Sequence, residues 1–417
     1  MSRPRILFVT YGGGHVRMVL PVVRALQARG TVDVQVLALT TAHAFLAREG
    51  IASLGFRDLV TPADARAVAW GRELMAGQTH PDVDPAESEA YLGLSFAELV
   101  ADRGLAGARQ AFAALGRAAF RPVEVLARAL ARVQPDLVVA TSSPRAEMAA
   151  MLAARRHGVP AVCLVDLFAH EEIKYIAQPG YADRVCVLDD HVRQRFIAAG
   201  RGADEIVATG NPAFDSLADP ALPAAAAAWL AQQSWRHQRK ILWVSQPEPE
   251  RHRITGVAGD PALPGRVFEA LAGVVARRPD WHLVVRPHPS QDAAQFKAAE
   301  GVSISTQAQP LHVLLHAVDA VVCMTSTVGY EAALLGKPLV HLPLSVYRDE
   351  ADYTEMGLAL RVDALDGLEL ALNSIFSGAW APALHLKPAG GATHAVCAVI
   401  ESLLPASTAP PRRGSLT

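Results

Sequence analysis

A histidine follows three consecutive glycines near the start of the chain, at Gly12, Gly13, Gly14 and His15. The glycines come shortly after the apolar run 6–9 and before a helical pattern, which predicts a strand-to-helix turn. At such a turn backbone N–H groups can face an anion, and an imidazole at the mouth of the helix can accept a proton. A tight turn with a solvated histidine is the alternative interpretation.

A second polar group follows the apolar run 283–285 in the motif Arg-Pro-His-Pro. Its prolines hold the backbone rigid, so Arg286 and His288 are expected to project from the carboxyl end of a strand. Ligands of open α/β sheets bind at that edge, which makes both residues candidates for binding a phosphate. His288 could equally be a packed turn histidine.

A third polar group follows the apolar run 320–322 and opens another helix. The hydroxyls of Thr325, Ser326 and Thr327, together with the helix dipole, suit a phosphate or pyrophosphate. Glu331 lies about one turn into the helix, where a carboxylate can accept hydrogen bonds from two vicinal ribose hydroxyls. The structural alternatives are an N-cap for the hydroxyls and a capping box for Glu331.

One carboxylate is placed to assist His15. Asp166 follows the apolar run 161–165 and is a candidate to orient the imidazole, with Glu171 and Glu172 as weaker alternatives. A cap of the next helix is the other role open to Asp166.

Short apolar runs alternate with helical patterns along the chain, which predicts parallel sheets covered on both faces. The predicted strands are 6–10, 33–39, 137–140, 161–165, 184–188, 240–244, 282–285, 320–322 and 339–341. We therefore expect an α/β protein with two doubly wound, Rossmann-like domains that face a central cleft. Gly210 and Asn211, near the predicted junction, are candidates for lining that cleft.

The predicted domains are 1–218 and 219–404, because a proline-containing connector and five alanines follow residue 218. Segment 60–133 is predicted to be a helical insertion in the first domain. Its arginines could attract a phosphorylated or membrane-bound acceptor, although a solvated helix face is the more economical interpretation. Residues 405–417 are rich in proline, serine and arginine, and are predicted to be disordered.

Composition narrows the class of protein. The 417 residues exceed one ordinary core, and a net charge of −2 gives no global signal for nucleic acid. Four widely spaced cysteines predict core thiols in a reducing compartment, not a disulfide framework or a metal site. The chain has no apolar stretch of membrane-spanning length, so we expect a cytoplasmic protein, with peripheral contact at the inner membrane face left open.

Several of these motifs resemble known families. The segment 325–338 resembles the donor-nucleotide signature of GT-B-fold glycosyltransferases and of UDP-N-acetylglucosamine 2-epimerase, and 209–217 resembles the end of the epimerase's first domain. The glycine loop with His15 resembles that of sugar transferases that use a histidine base. The Arg-Pro-His-Pro motif resembles the HP motif of bacterial sialyltransferases, capsule transferases and CDP-glycerol phosphotransferases. Together these resemblances imply a GT-B fold from residue 6 to about 345, with Gly210 and Asn211 among the residues that bind the donor.

Departures from the epimerase pattern decide the order of the hypotheses. The epimerase has an arginine-proline-glutamate run in its first loop and a histidine-arginine-rich loop opening its second domain. Here 13–15 read Gly-Gly-His and 245–248 read Ser-Gln-Pro-Glu. The first hypothesis is therefore an inverting, metal-independent glycosyltransferase acting in surface-glycan or glycoconjugate synthesis. A 2-epimerase, a CDP-polyol phosphotransferase and a non-catalytic nucleotide-sugar binder are the alternatives.

The resemblance also implies the partners. A UDP- or CMP-linked sugar would be the donor substrate, and a glycan, a lipid-linked sugar or a protein would be the acceptor. We expect no cofactor, because the nucleotide sugar is itself a substrate.

Overall fold

Continuous runs of apolar residues form the strands, because each strand is buried on both faces of its sheet. The computed structural model describes residues 3–75 and 80–405. The strands are β1 Arg5–Thr10, β2 Asp33–Ala38, β3 Leu137–Thr141, β4 Ala161–Leu164, β5 Arg184–Val187, β6 Ile206–Ala208, β7 Arg239–Val244, β8 Trp281–Arg286, β9 Val302–Ile304, β10 Ala320–Cys323, β11 Leu339–His341 and β12 Leu360–Arg361.

Helices connect these strands, together with short 3-10 segments. The helices are α1 Gly14–Arg29, α2 Thr41–Arg48, α3 Ala65–Met75, α4 Pro85–Leu115, α5 Val123–Val133, α6 Ala146–Arg156, α7 Ile173–Ile176, α8 Asp190–Ala198, α9 Leu222–Ala231, α10 Leu263–Ala276, α11 Leu311–Ala317, α12 Val328–Leu334, α13 Leu368–Phe376 and α14 Ala392–Leu403.

The chain divides into two units. The second unit begins and ends at earlier residues than the expected second domain, 219–404. Unit 1 comprises 1–213 and 391–417, and unit 2 comprises 214–390. Helix α14, which we had assigned to the second domain, belongs to unit 1, because Val396, Cys397 and Ile400 are buried in its core. An ion pair of 2.6 Å between Arg29 and Glu401 adds to this attachment. Of the predicted disordered tail, 406–417 lie outside the described residues.

Each unit contains one parallel sheet of six strands, so the predicted α/β class with two parallel-sheet units is confirmed. The strand order in unit 1 is β2-β1-β3-β4-β5-β6, and in unit 2 it is β12-β11-β10-β7-β8-β9. The strand order reverses beside β1 in unit 1 and beside β7 in unit 2. At such a point the loops leaving neighbouring strands run to opposite faces and open a crevice at the carboxyl ends of the strands.

Helices α3, α4 and α5 occupy the segment between β2 and β3 for which no strand was expected. Helix α4 bends at Gly104, whose φ of 68° interrupts the helical backbone. Helices α3 and α4 pack with their backbones in close contact. A methyl group on Gly93 would lie 2.2 Å from the carbonyl oxygen of Ala67, so only a residue without a side chain fits there.

All four cysteines are buried and free, as expected for core thiols. Among the helices of the described residues, none has the length and apolar character needed to cross a membrane.

Candidate active site

The loop after β1 carries His15 at the crevice of unit 1. Gly13 precedes α1 with a φ of 69°, a backbone conformation that side chains disfavour, and His15 follows in the first turn of the helix. A methyl group on Gly12 would lie 1.9 Å from Oγ1 of Thr41, so the loop packs directly on the start of α2. The side chain of His15 is partly exposed, but its Nδ1 atom is buried and has no hydrogen-bond partner among the described residues.

Asp166 reaches the same place from the loop after β4. A methyl group on Gly14 would lie 3.2 Å from Oδ2 of Asp166, which places the carboxylate against the glycine loop. The amide of Asn211 donates to Oδ1 of Asp166 at 3.4 Å. Burial raises the pKa of Asp166, and the charge of His15 and the hydrogen bond from Asn211 oppose the rise. The backbone after Asp166 is strained, since Leu167 has a φ of 50°.

The structure adds Glu147, which the sequence analysis missed. This residue is fully buried in the first turn of α6, and Thr141 donates to its Oε1 at 3.3 Å. Its Oε2 has no hydrogen-bond partner in the described part of the chain. Burial raises the pKa of Glu147, while the charge of His15 lowers it, so both groups lie within electrostatic reach of each other. No local feature of the sequence distinguishes it, because it lies inside α6 and not directly after a strand.

We call His15, Asp166, Glu147 and Asn211 the histidine cluster. It comprises three titratable groups that follow β1, β3 and β4 along the chain, and an amide that donates to one of them. An imidazole backed by a carboxylate can take a proton from a hydroxyl group, because the carboxylate orients the ring and stabilises its charged form. Gly210 and Asn211, predicted as donor-binding residues, belong to unit 1 with Asp166, whereas the other predicted donor residues belong to unit 2.

The predicted donor residues of unit 2 begin with Glu331 in α12. Its carboxylate is largely buried, and its Oε2 lies 3.0 Å from Nε2 of His312. Thr327 makes no side-chain capping bond at the start of α12, so the capping alternative for this pair is not realised. His312, which the sequence analysis missed, orients a carboxylate that keeps a second oxygen for a ligand.

Thr325 is fixed by a residue from the switch point of the unit 2 sheet. Gln246, in the loop after β7, donates to Oγ1 of Thr325 at 2.7 Å and accepts from its backbone N–H at 3.0 Å. The phenol of Tyr353 donates to the carbonyl of Ser326 at 2.7 Å. We call Glu331, His312, Thr325 and Gln246 the glutamate cluster.

Arg286 and His288 are engaged within unit 2. Arg286 donates through Nη1 to Oγ of Ser305 at 3.0 Å and through Nη2 to Oε1 of Gln307 at 3.0 Å, and burial lowers its pKa. These contacts hold the loop after β9. His288 is exposed, and its Nδ1 lies 2.7 Å from the hydroxyl of Ser290. The hydrogen bonds of Arg286 therefore hold the loop after β9 in place, whereas the imidazole of His288 is exposed to solvent.

The arginines of the helical insertion have several local partners. Arg128 pairs with Asp64 at 2.8 Å, and Arg103 pairs with Asp102 at 3.2 Å. Within the described residues, no group of three or more His, Cys, Asp or Glu side chains is arranged to hold a metal ion.

Solved structures with similar folds include UDP-GlcNAc 2-epimerases and a glycotransferase. The UDP-GlcNAc 2-epimerase from Neisseria meningitidis, bound to UDP-GlcNAc, is 13% identical with a TM-score of 0.62, over 95% of this chain and 100% of that chain. The UDP-GlcNAc 2-epimerase from Methanocaldococcus jannaschii is 13% identical with a TM-score of 0.60, over 95% and 99%. The glycotransferase of kitacinnamycin is 16% identical with a TM-score of 0.55, over 97% and 100%. At these identities the similarity shows the fold.

No curated protein sequence gives a significant match. The sequence profile of the UDP-N-acetylglucosamine 2-epimerase family matches residues 101–352, which is more than half of the chain. The chain therefore belongs to the UDP-N-acetylglucosamine 2-epimerase family, whose members are nucleotide-sugar enzymes with the GT-B fold.

Proposed function

We propose that this protein is a glycosyltransferase that moves a sugar from a nucleotide-sugar donor to the hydroxyl group of an acceptor. The observation that carries the proposal is the histidine cluster, in which His15 lies beside Asp166 and Asn211 holds that carboxylate. A general base for an acceptor hydroxyl needs an exposed imidazole edge and a carboxylate that stabilises the imidazolium. The side chain of His15 is partly exposed, and the carboxylate of Asp166 lies against the same glycine loop.

In this mechanism unit 2 binds the nucleotide. Glu331 accepts hydrogen bonds from the two ribose hydroxyls while His312 holds its Oε2 in place. The predicted phosphate partners remain Ser326, Thr327 and His288. Arg286 orders the loop after β9 through its hydrogen bond to Ser305. As the nucleotide phosphate departs, negative charge develops on it, and donors held in position stabilise that charge.

His15 removes the proton from the acceptor hydroxyl as its oxygen attacks the anomeric carbon. The bond from the sugar to the nucleotide phosphate breaks on the opposite side, so the anomeric centre inverts. UDP-GlcNAc is the first donor to test, because the similar enzyme from Neisseria meningitidis is bound to that compound.

Epimerisation at C2 of UDP-GlcNAc is the second candidate, and the family match favours it. That reaction requires a group that removes the C2 proton and a group that returns a proton to the other face. Asp166 and Glu147 have pKa values raised by burial, which suits both carboxyl groups to exchanging protons.

Incubation of the protein with UDP-GlcNAc in heavy water separates these reactions. A transferase releases UDP only when an acceptor is present and leaves C2 of the unreacted donor unlabelled. An epimerase needs no acceptor and places deuterium at C2. Deuterium at C2 without acceptor would refute the transfer proposal and establish the second candidate.

Variants then test the residues. His15→Ala should lower kcat/KM about 10²- to 10⁴-fold, the usual contribution of a general base, with little change in the affinity for UDP. His157→Ala, an exposed histidine at the end of α6, is the matched control. Glu331→Ala should weaken UDP binding about 10- to 100-fold through lost hydrogen bonds to a charged group. Near wild-type turnover in His15→Ala would remove His15 as the base.

A further inference from the structure

A cavity of about 160 Å³ lies inside unit 1, between the glycine loop, the start of α2 and helix α4 of the insertion. Its polar lining comprises the hydroxyl-bearing residues Tyr11, Thr40, Thr41, Ser88 and Tyr91 and the titratable residues His80, Glu87 and Arg117. No residue of the histidine cluster lines it, and the proposed mechanism leaves it unused.

Tyr91 lines this cavity, and its phenol has an unmet hydrogen-bonding capacity. The residue is 3% exposed, and its ring is held edge-on by Phe56 at 5.2 Å and by Phe120 at 6.1 Å. Its hydroxyl is buried and has no hydrogen-bond partner among the residues that the structure describes. Because a buried hydroxyl without a partner costs free energy, a ligand that bonds to it gains that energy back.

The lining defines the chemistry of an occupant. Thr40, Thr41, Ser88 and Tyr91 contribute hydroxyl groups, each of which can both donate and accept a hydrogen bond. Such a lining suits a ring that carries several hydroxyl groups of its own. A cavity of roughly 150 Å³ can hold one six-membered ring, so the volume here matches the size of a single ring.

The cavity shares a wall with the loop that carries His15. Tyr11 directly precedes the glycines, and Thr41 packs against Gly12. The guanidinium of Arg145 lies 4.6 Å from the centre of the Tyr11 ring, and Arg145 also acts electrostatically on the Tyr91 hydroxyl. The backbone of Thr40 is strained, because this β-branched residue has a φ of 53°. Such strain is common at ligand-binding sites.

We propose that this cavity binds one pyranose ring of the acceptor, so that the acceptor of the transfer reaction is a sugar. The inference rests on the proposed function, since only transfer requires a second substrate. An occupant here would lie against the loop whose next helical residue is the proposed base.

Binding of free sugars tests the proposal without turnover. Saturation-transfer NMR of the full chain with N-acetylglucosamine, glucose, galactose and mannose should show saturable binding of at least one of them. Ser88→Trp fills the cavity and should weaken that binding at least tenfold, and Tyr91→Phe should weaken it about fivefold by removing one hydroxyl. Asp102→Trp, which adds the same bulk on an exposed part of α4, is the matched control.

Calorimetric titrations with UDP and with UDP-GlcNAc distinguish the two sources of a pyranose ring. If the acceptor occupies the cavity, Ser88→Trp binds both compounds as the wild type does. If Ser88→Trp weakens UDP-GlcNAc and spares UDP, the cavity holds the donor's sugar and the proposal is overturned. Absence of saturable binding of every free sugar to the folded wild type also overturns it. Sugar binding that Ser88→Trp abolishes, without acceptor-dependent UDP release, supports the cavity as a pyranose site and refutes glycosyl transfer.

Discussion

Glu87 gives unit 1 a pH-dependent stability that can be measured. The carboxylate lies in the first turn of α4 and is 4% exposed. Its two oxygens accept the backbone N–H groups of Phe56 at 2.9 Å and Arg57 at 3.0 Å. Burial raises the pKa of Glu87 from 4.5 to about 7, the nearby charge of Asp58 adds to the rise, and the hydrogen bonds and the charge of Arg57 oppose it.

The sign follows from proton binding. Between pH 4.5 and 7 the folded state holds a proton on Glu87 that the unfolded state has released, so the free energy of unfolding falls as the pH rises through this range. At about 1.36 kcal/mol for each pKa unit, the loss amounts to about 3 kcal/mol. Stability from this group is fully present below pH 4.5 and is lost above pH 7.

Urea denaturation of the wild type and Glu87→Gln, followed by circular dichroism from pH 4.5 to 8, measures this difference. Glutamine does not titrate, so the wild type should lose about 3 kcal/mol relative to the variant across the range. Glu89→Gln, in the same helix as Glu87, is the control. It removes an ion pair of 3.0 Å with Arg72 of α3 and should change the free energy of unfolding by about 1 kcal/mol at most. Parallel pH profiles for the wild type and Glu87→Gln would refute the argument.

Two further predictions concern packing and the nucleotide half of the site. Gly93→Ala places a methyl group 2.2 Å from the carbonyl oxygen of Ala67 and should destabilise unit 1 by at least about 2 kcal/mol in thermal unfolding. Gly265→Ala, in an open part of α10, should be neutral or stabilising, and equal effects of both changes would contradict the packing argument. Gln246→Ala removes two hydrogen bonds to Thr325, so the free energy of unfolding should fall by about 1–3 kcal/mol. Calorimetric titrations should also show weaker UDP binding. Unchanged UDP affinity would separate the β7 loop from nucleotide binding.

Most of the sheet could be predicted from the sequence, because buried parallel strands are long apolar runs. The three strands that were missed, β6, β9 and β12, have only two or three residues each. Such short segments lie at or near the edges of the sheets and carry too little periodicity to stand out.

The sequence singled out candidate site residues that lie shortly after apolar runs, such as His15 and Asp166. Glu147 and His312 escaped prediction because they lie within helices, one turn or more from the strand ends. Nothing local distinguishes a buried glutamate at such a position from a solvated one. The burial of such a glutamate is decided by residues from other parts of the chain that pack over it.

The sequence by itself determined the class of the fold and the residue types at the strand ends, since apolar runs and glycine turns act through near neighbours. Tertiary structure alone decided the order of the strands, and with it the partners of those residues. It brought Asn211 to Asp166, Gln246 to Thr325 and helix α14 into unit 1. Each of these contacts joins segments far apart in the chain, and its free energy comes from burial and hydrogen bonding that exist only after the sheet has assembled.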